Sequence, residues 1–238
     1  MTGIAFAVLA GLGDLLGGTL VLGGARHRRR LLAVLVGFGA GFMLAVALLE
    51  MLPGALRVEG GFAGVLIGYL IVHLTQHVLT PHFHFGEETH DSARASRGIG
   101  IWAMAGLVPH SFFDGVAIGS GFLQSTELGM LIFVAIVLHK IPTGVSLASV
   151  MLVSGNSTRR TVWALVALLL ATVAGAAATP SFEVLVRHGL SLAAGVTIYV
   201  AASNLIPESQ RERSWPVQGG VFAGVIAFAL IRLLLGGA

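Results

Sequence analysis

The sequence predicts an all-α polytopic membrane protein, a bundle of eight transmembrane helices with inverted repeats in which spans 1–3 and 6–8 flank the 4–5 pair. Three observations predict it. First, the 238 residues are 55% hydrophobic and only 11% charged, with a mean hydropathy of +0.90; soluble domains carry about 25% charged residues. Second, eight apolar segments approach the roughly 20 residues needed to cross lipid. Third, arginines fall in alternate loops, as the positive-inside rule requires. Strands of a membrane barrel would be about ten residues long with alternating polarity, and these segments are neither.

The spans run approximately over 3–24, 31–52, 61–80, 99–121, 128–153, 161–179, 189–207 and 217–236. Ten of the fourteen Lys and Arg residues follow spans 1, 3, 5 and 7: Arg26, Arg28, Arg29 and Arg30, then Arg94 and Arg97, then Arg159 and Arg160, then Arg211 and Arg213. Arg57, Arg187 and Arg232 fall on the opposite side, and Lys140 lies inside a span. Both termini are therefore expected outside the cytoplasm. The basic residues sit in short loops rather than on one face, which excludes a nucleic-acid surface. With no cysteine, disulfides and thiolate metal sites are excluded. The chain reads as a single transmembrane domain over 1–238, with a cytoplasmic, histidine-containing loop at 81–98.

Span 1 reads as retained rather than as a cleaved signal, because its basic residues follow the apolar run. Asp14 within it has no evident partner in the sequence and is given no role. Span 2 and span 7 match at a constant offset of 154: Ala40-Gly41-x-x-Leu44-x-Val46-Ala47, ending in Leu52-Pro53, against Ala194-Gly195-x-x-Ile198-x-Val200-Ala201, ending in Ile206-Pro207. Asn204 is thereby the counterpart of Glu50. Span 3 carries His73 and His77 at i and i+4. His82, His84, Glu87, Glu88, His90 and Asp91 follow in the loop. Such histidine tracts commonly bind metals, so the segment is a candidate for receiving or sensing exiting metal; the alternative is a solvated polar loop. Spans 4 and 5 match at an offset of 29: His110-Ser-Phe-Phe-Asp-Gly-Val-Ala-Ile-Gly119 against His139-Lys-Ile-Pro-Thr-Gly-Val-Ser-Leu-Ala148. Inverted repeats around a midplane site are a transporter signature.

Ionisable groups at bilayer depth are costly and mark sites or pathways. His110 and Asp114 share a helix face at i and i+4, and His139 faces them if spans 4 and 5 pack as an antiparallel pair. Such a trio suits zinc, and also Fe2+, Mn2+, Co2+ or Cd2+. Pro109 and Pro142 each remove a helix hydrogen bond beside these residues. The alternative is an internal hydrogen-bond network that locks the helices.

The strings starting at His110 and His139 resemble the two signature helices of the ZIP family of divalent-metal transporters. Gly41-Phe-Met-Leu44, Leu52-Pro53, Tyr199-Val and Ile206-Pro-Glu-Ser209 are similar to that family as well, and so is the histidine-bearing loop after span 3. The resemblance implies eight helices, both termini outside, zinc or a related cation carried into the cytoplasm, and commonly a homodimer. It places Met43 where a methionine ligand can occur. Seven residues beyond it, Glu50 is a candidate cation attractor at the outer mouth, or else an ordinary interfacial carboxylate. At the family's second metal position this chain has Ser111, Lys140 and Thr143, with Thr172 three residues before Gly175 in span 6. That position looks dismantled. Lys140, the single lysine, reads as a built-in positive charge offset by Asp114 and coupled to metal binding; the alternative is a lysine reaching for the interface.

The expected activity is secondary transport of a divalent cation across the plasma membrane, by alternating access. No P-loop string is present. An intramembrane metal-dependent hydrolase using the same trio is the competing class, disfavoured by the lack of a His-Glu-x-x-His string. A metal-sensing or scaffold membrane protein is a third. Arginine exceeds lysine thirteen to one, which points to a bacterial inner membrane.

Overall fold

A computed structural model describes residues 2–23, 29–76, 97–207 and 214–234. All secondary structure among them is helical. We label the helices α1 (Thr2–Leu22), α2 (Arg29–Val46), α3 (Gly61–Leu74), α4 (Arg97–Gln124), α5 (Thr126–Val153), α6 (Thr158–Ala178), α7 (Glu183–Tyr199) and α8 (Trp215–Leu234). α2 continues through a π-helical turn, Ala47–Met51, into the helical turn Leu52–Leu56, and α7 continues through a π-helical turn, Val200–Leu205. These two turns stand at corresponding places in the repeat that relates spans 2 and 7.

Seven of the helical stretches are long and apolar enough to cross a membrane. The third expected span is represented by the shorter apolar helix α3, with 14 residues. It is followed by two π-helical residues, after which 77–80 lie outside the described residues. Lipid leaves no water for backbone groups, so each segment closes its hydrogen bonds along its own helix. Ser125 and Ser157 cap α5 and α6 by accepting from the backbone N–H of Leu128 (3.1 Å) and Arg160 (3.4 Å). Gly60 (φ 75°) begins α3 and Gly155 (φ 78°) ends the α5 turn, conformations that cost a side-chain-bearing residue. α4 and α5 run through Pro109 and Pro142 without breaking.

Helix pairing is regular. α1 packs on α5 and α4 on α6, while α2 packs on α8 and α3 on α7; α4 and α5 meet in the middle. Exchanging α1–α3 with α6–α8, and α4 with α5, turns each of these pairs into another of the set. Glycines set the closest approaches. A Cβ on Gly144 would overlap the carbonyl of Asp14, and one on Gly17 the carbonyl of Ile141. Gly115 meets the carbonyl of Thr172 in the same way, and Gly175 that of Phe112. The sequence shows matching strings for spans 4 and 5 and for spans 2 and 7, but none for spans 1 and 6. The reciprocal contacts relate the latter too, with Asp14-x-x-Gly17 standing as Thr172-x-x-Gly175.

Small residues drive membrane-helix packing because lipid tails leave no hydrophobic force between helices. Gly144→Ala is expected to destabilise the detergent-purified protein by about 1–3 kcal/mol through overpacking. Gly219→Ala, where a Cβ would meet nothing within 4 Å, should stay within about 0.5 kcal/mol of native. Thermal unfolding of the two variants checks the contrast.

Candidate metal centre

The α4–α5 contact brings His110, Asp114 and His139 into one cluster whose ligand atoms all lie within 4.8 Å of one another. Each is at most 2% exposed. The distance from Asp114 Oδ2 is 3.4 Å to His110 Nε2 and 3.3 Å to His139 Nε2. Ligand atoms held about 2.1 Å from a tetrahedral zinc ion stand about 3.4 Å apart. The measured separations are those of two tetrahedral edges sharing the carboxylate oxygen. The two imidazole rings are 5.4 Å apart between centroids and tilted by 48°.

The local hydrogen bonding explains why the nitrogens face inward. His139 Nδ1 lies 3.1 Å from the carbonyl of Ala135, one helical turn back. A carbonyl only accepts, so Nδ1 carries a proton, and Nε2 is the nitrogen turned toward Asp114 Oδ2. Orienting a ligand imidazole through its other nitrogen is common in metal sites. Among the described residues neither ring nitrogen of His110 has an aligned hydrogen-bond partner, the contact with Asp114 Oδ2 at 3.4 Å included. A buried polar group left unsatisfied costs about 1–3 kcal/mol, so packing alone disfavours an imidazole at this position. A cation placed among these lone pairs satisfies all three residues at once.

Next to the trio stands Lys140, fully buried. Its Nζ is 3.2 Å from Asp114 Oδ2 and donates to Ser111 Oγ at 3.0 Å. The offset by Asp114 expected from sequence is thus present. The assignment of no partner to Asp14 is overturned: Asp14 Oδ2 lies 2.9 Å from Lys140 Nζ, and the carboxylate is fully buried. The contact is an ion pair rather than an aligned hydrogen bond. The spacing Asp14-x-x-Gly17, shared with Thr172-x-x-Gly175, is the signal that could have found it. Thr143 donates to the carbonyl of His139 (2.9 Å) and Thr172 to that of Leu168 (3.0 Å). Both hydroxyls are therefore engaged along their own helices.

The remaining candidates lie elsewhere. Met43 is buried in an apolar cluster with Ala40, Val72, Tyr199 and Val200, against which Phe113 of α4 packs. Glu50, on the α2 π turn, pairs with Arg232 of α8 at 2.5 Å; its negative charge is met by an arginine, which weakens it as a free attractor of cations. Its repeat counterpart Asn204 donates to Gln76 at 2.9 Å. His73 is exposed on α3, with its ring 6.0 Å from that of Tyr199. His77, His82, His84 and His90, with the loop over 81–96, lie outside the described residues.

A model of the ZIP zinc transporter family matches residues 84–232, more than half of the chain, including the whole α4–α5 centre. The chain belongs to the ZIP family. Curated relatives agree. A zinc transporter ZupT from Enterobacter sp. is 33% identical over 131 residues, 51% of either chain. Human zinc transporter SLC39A7 is 32% identical over 155 residues, covering 57% of this chain and 32% of that protein. Zinc transporter ZIP9 of Xenopus tropicalis is 27% identical over 185 residues, 72% of this chain and 60% of its own. The chain spans about half the length, or less, of the first curated relatives it matches.

The unsatisfied His110 yields a test of the centre. His110→Leu is expected to leave the metal-free thermal stability unchanged or higher, because it removes a buried group without a partner. Asp114→Ala should lower it, because Lys140 loses one of its two carboxylates and His139 its contact with Asp114 Oδ2. Thermal unfolding in chelator checks the opposite signs.

Proposed function

We propose that this ZIP-family chain is a transporter that moves a divalent cation, Zn2+ first, across the plasma membrane toward the cytoplasm through the site formed by His110, Asp114 and His139. The observation that carries the reading is the buried His110 imidazole, without an aligned hydrogen-bond partner, in a trio whose ligand atoms all lie within 4.8 Å of one another. The zinc transporters named among its relatives support the same cargo. Fe2+, Mn2+, Co2+ and Cd2+ share the donor preferences and belong to the same proposal. Three protein donors leave a coordination position open, which suits a site that must release its ion.

The second metal position of the family is occupied here by the Lys140 ammonium, held by Ser111 and Asp114, so one ion binds per chain. Met43 adds a thioether near the path. His73, with His77, His82, His84 and His90, is assigned to the cytoplasmic exit. Both termini face away from the cytoplasm, the two halves are an inverted repeat, and the membrane is a bacterial inner membrane in which the protein works as a homodimer. The alternative of a membrane-embedded hydrolase gains no support: the relatives are named transporters, and the group pressed against Asp114 is an ammonium rather than a base.

Zinc flux into proteoliposomes tests the reading. The native chain is expected to carry zinc, and His110→Ala and Asp114→Ala to fall to the rate of empty vesicles. Native protein that moves no divalent cation, or variants that match it, would sink the proposal. Calorimetric titration of the detergent-purified protein is expected to give one zinc per chain, and two would remove Lys140 from the second position.

A further inference from the structure

The Asp14–Lys140 pair has no part in coordinating the cargo, yet it touches the one oxygen on which the centre turns. Asp114 Oδ2 serves His110, His139 and Lys140 together. A dication bound to that oxygen stands close to the ammonium, and like charges at such range repel strongly where water is excluded. The ammonium then needs a second carboxylate. Asp14 is that carboxylate, fully buried on α1 and already 2.9 Å away. The backbone holds it there. Gly144 lies against the carbonyl of Asp14, and a Cβ on Gly13 would sit 3.0 Å from the Lys140 Cβ, so α1 and α5 cannot separate locally without losing this packing. Neither oxygen of Asp14 has a hydrogen-bond partner among the described residues, so the ion-pair contact of Oδ2 with Lys140 is what answers its charge.

We propose that Asp14 is a positioning residue of the metal centre: it takes up the charge of Lys140 when Asp114 takes the cation, and so sets the affinity for the dication from the opposite side of the lysine. This rests on the metal-site reading above. Two carboxylates against one ammonium leave the centre with a net charge of −1 before metal arrives. Neutralising Asp14 removes that excess and leaves Lys140 competing with the metal for Asp114. Neutralising Lys140 as well restores both the excess and the free carboxylate.

The test is zinc binding by calorimetry and zinc uptake by proteoliposomes at neutral pH, for native, D14N, D14T, D14E, D14N/K140Q and D114A. D14T places in α1 the residue that α6 already carries at Thr172. D14N and D14T are expected to weaken binding and raise KM by about tenfold or more, with a smaller change in maximal rate. D14E, which keeps the charge, should lose less. D14N/K140Q should recover to within about threefold of native. A brace between α1 and α5 with no electrostatic role predicts the reverse: the single and double variants, which both lack the ion pair, would be equally impaired. That result, or native affinity in both D14N and D14T, overturns the proposal. D114A separates the two levels: if it binds zinc as native does, the metal-site reading itself fails. If D114A is silent while the double variant stays as weak as D14N, only the role of Asp14 falls.

Discussion

Charge compensation around a single buried oxygen governs this molecule. Asp114 Oδ2 stands within 3.2–3.4 Å of two imidazole nitrogens and an ammonium, in an environment where an uncompensated charge costs several kcal/mol. Each neighbour can be traced to a requirement of that oxygen or of its partner. Lys140 offsets Asp114, Asp14 offsets Lys140, and Ser111 Oγ accepts a hydrogen bond from the ammonium. The result is a cluster of two carboxylates against one ammonium, with its excess negative charge on the side where the histidines lie.

Holding such a cluster requires backbones that approach closely, and glycine makes the approach. Gly17, Gly115, Gly144 and Gly175 press α1 on α5 and α4 on α6 at carbonyls belonging to, or directly following, the polar positions: Asp14, Ile141, Phe112 and Thr172. The same four contacts that pack the bundle therefore fix where the ionisable side chains start. Structural and functional demands are met at the same residues, so a methyl group at Gly144 acts on both.

Much of this was legible in the chain. Apolar length and the alternation of arginines predict the spans, because hydrocarbon thickness and the positive-inside rule act on composition directly. The i, i+4 spacing of His110 and Asp114 and the repeat of their string at His139 predict the trio, because helical periodicity converts spacing into a shared face. Glu50 was legible only as an acid near the mouth; that Arg232 answers it depends on α2 lying beside α8. Asp14 was read as a residue without a partner, since 126 positions separate it from Lys140 and only the glycine-mediated crossing of α1 and α5 closes that distance. The π-helical turns in α2 and α7 also left no distinct mark among the apolar residues that form them.

By itself, then, the amino-acid order determined that the chain is built of apolar membrane helices and that His110, Asp114 and His139 could share one face, because these follow from local hydrophobicity and helical phase. The tertiary structure decided which ionisable groups answer one another: Asp14 to Lys140, Glu50 to Arg232, and His110 left with nitrogens that no protein atom fills. Partnership between distant groups is settled by which helices touch and at what depth, and that information resides in packing rather than in any stretch of sequence.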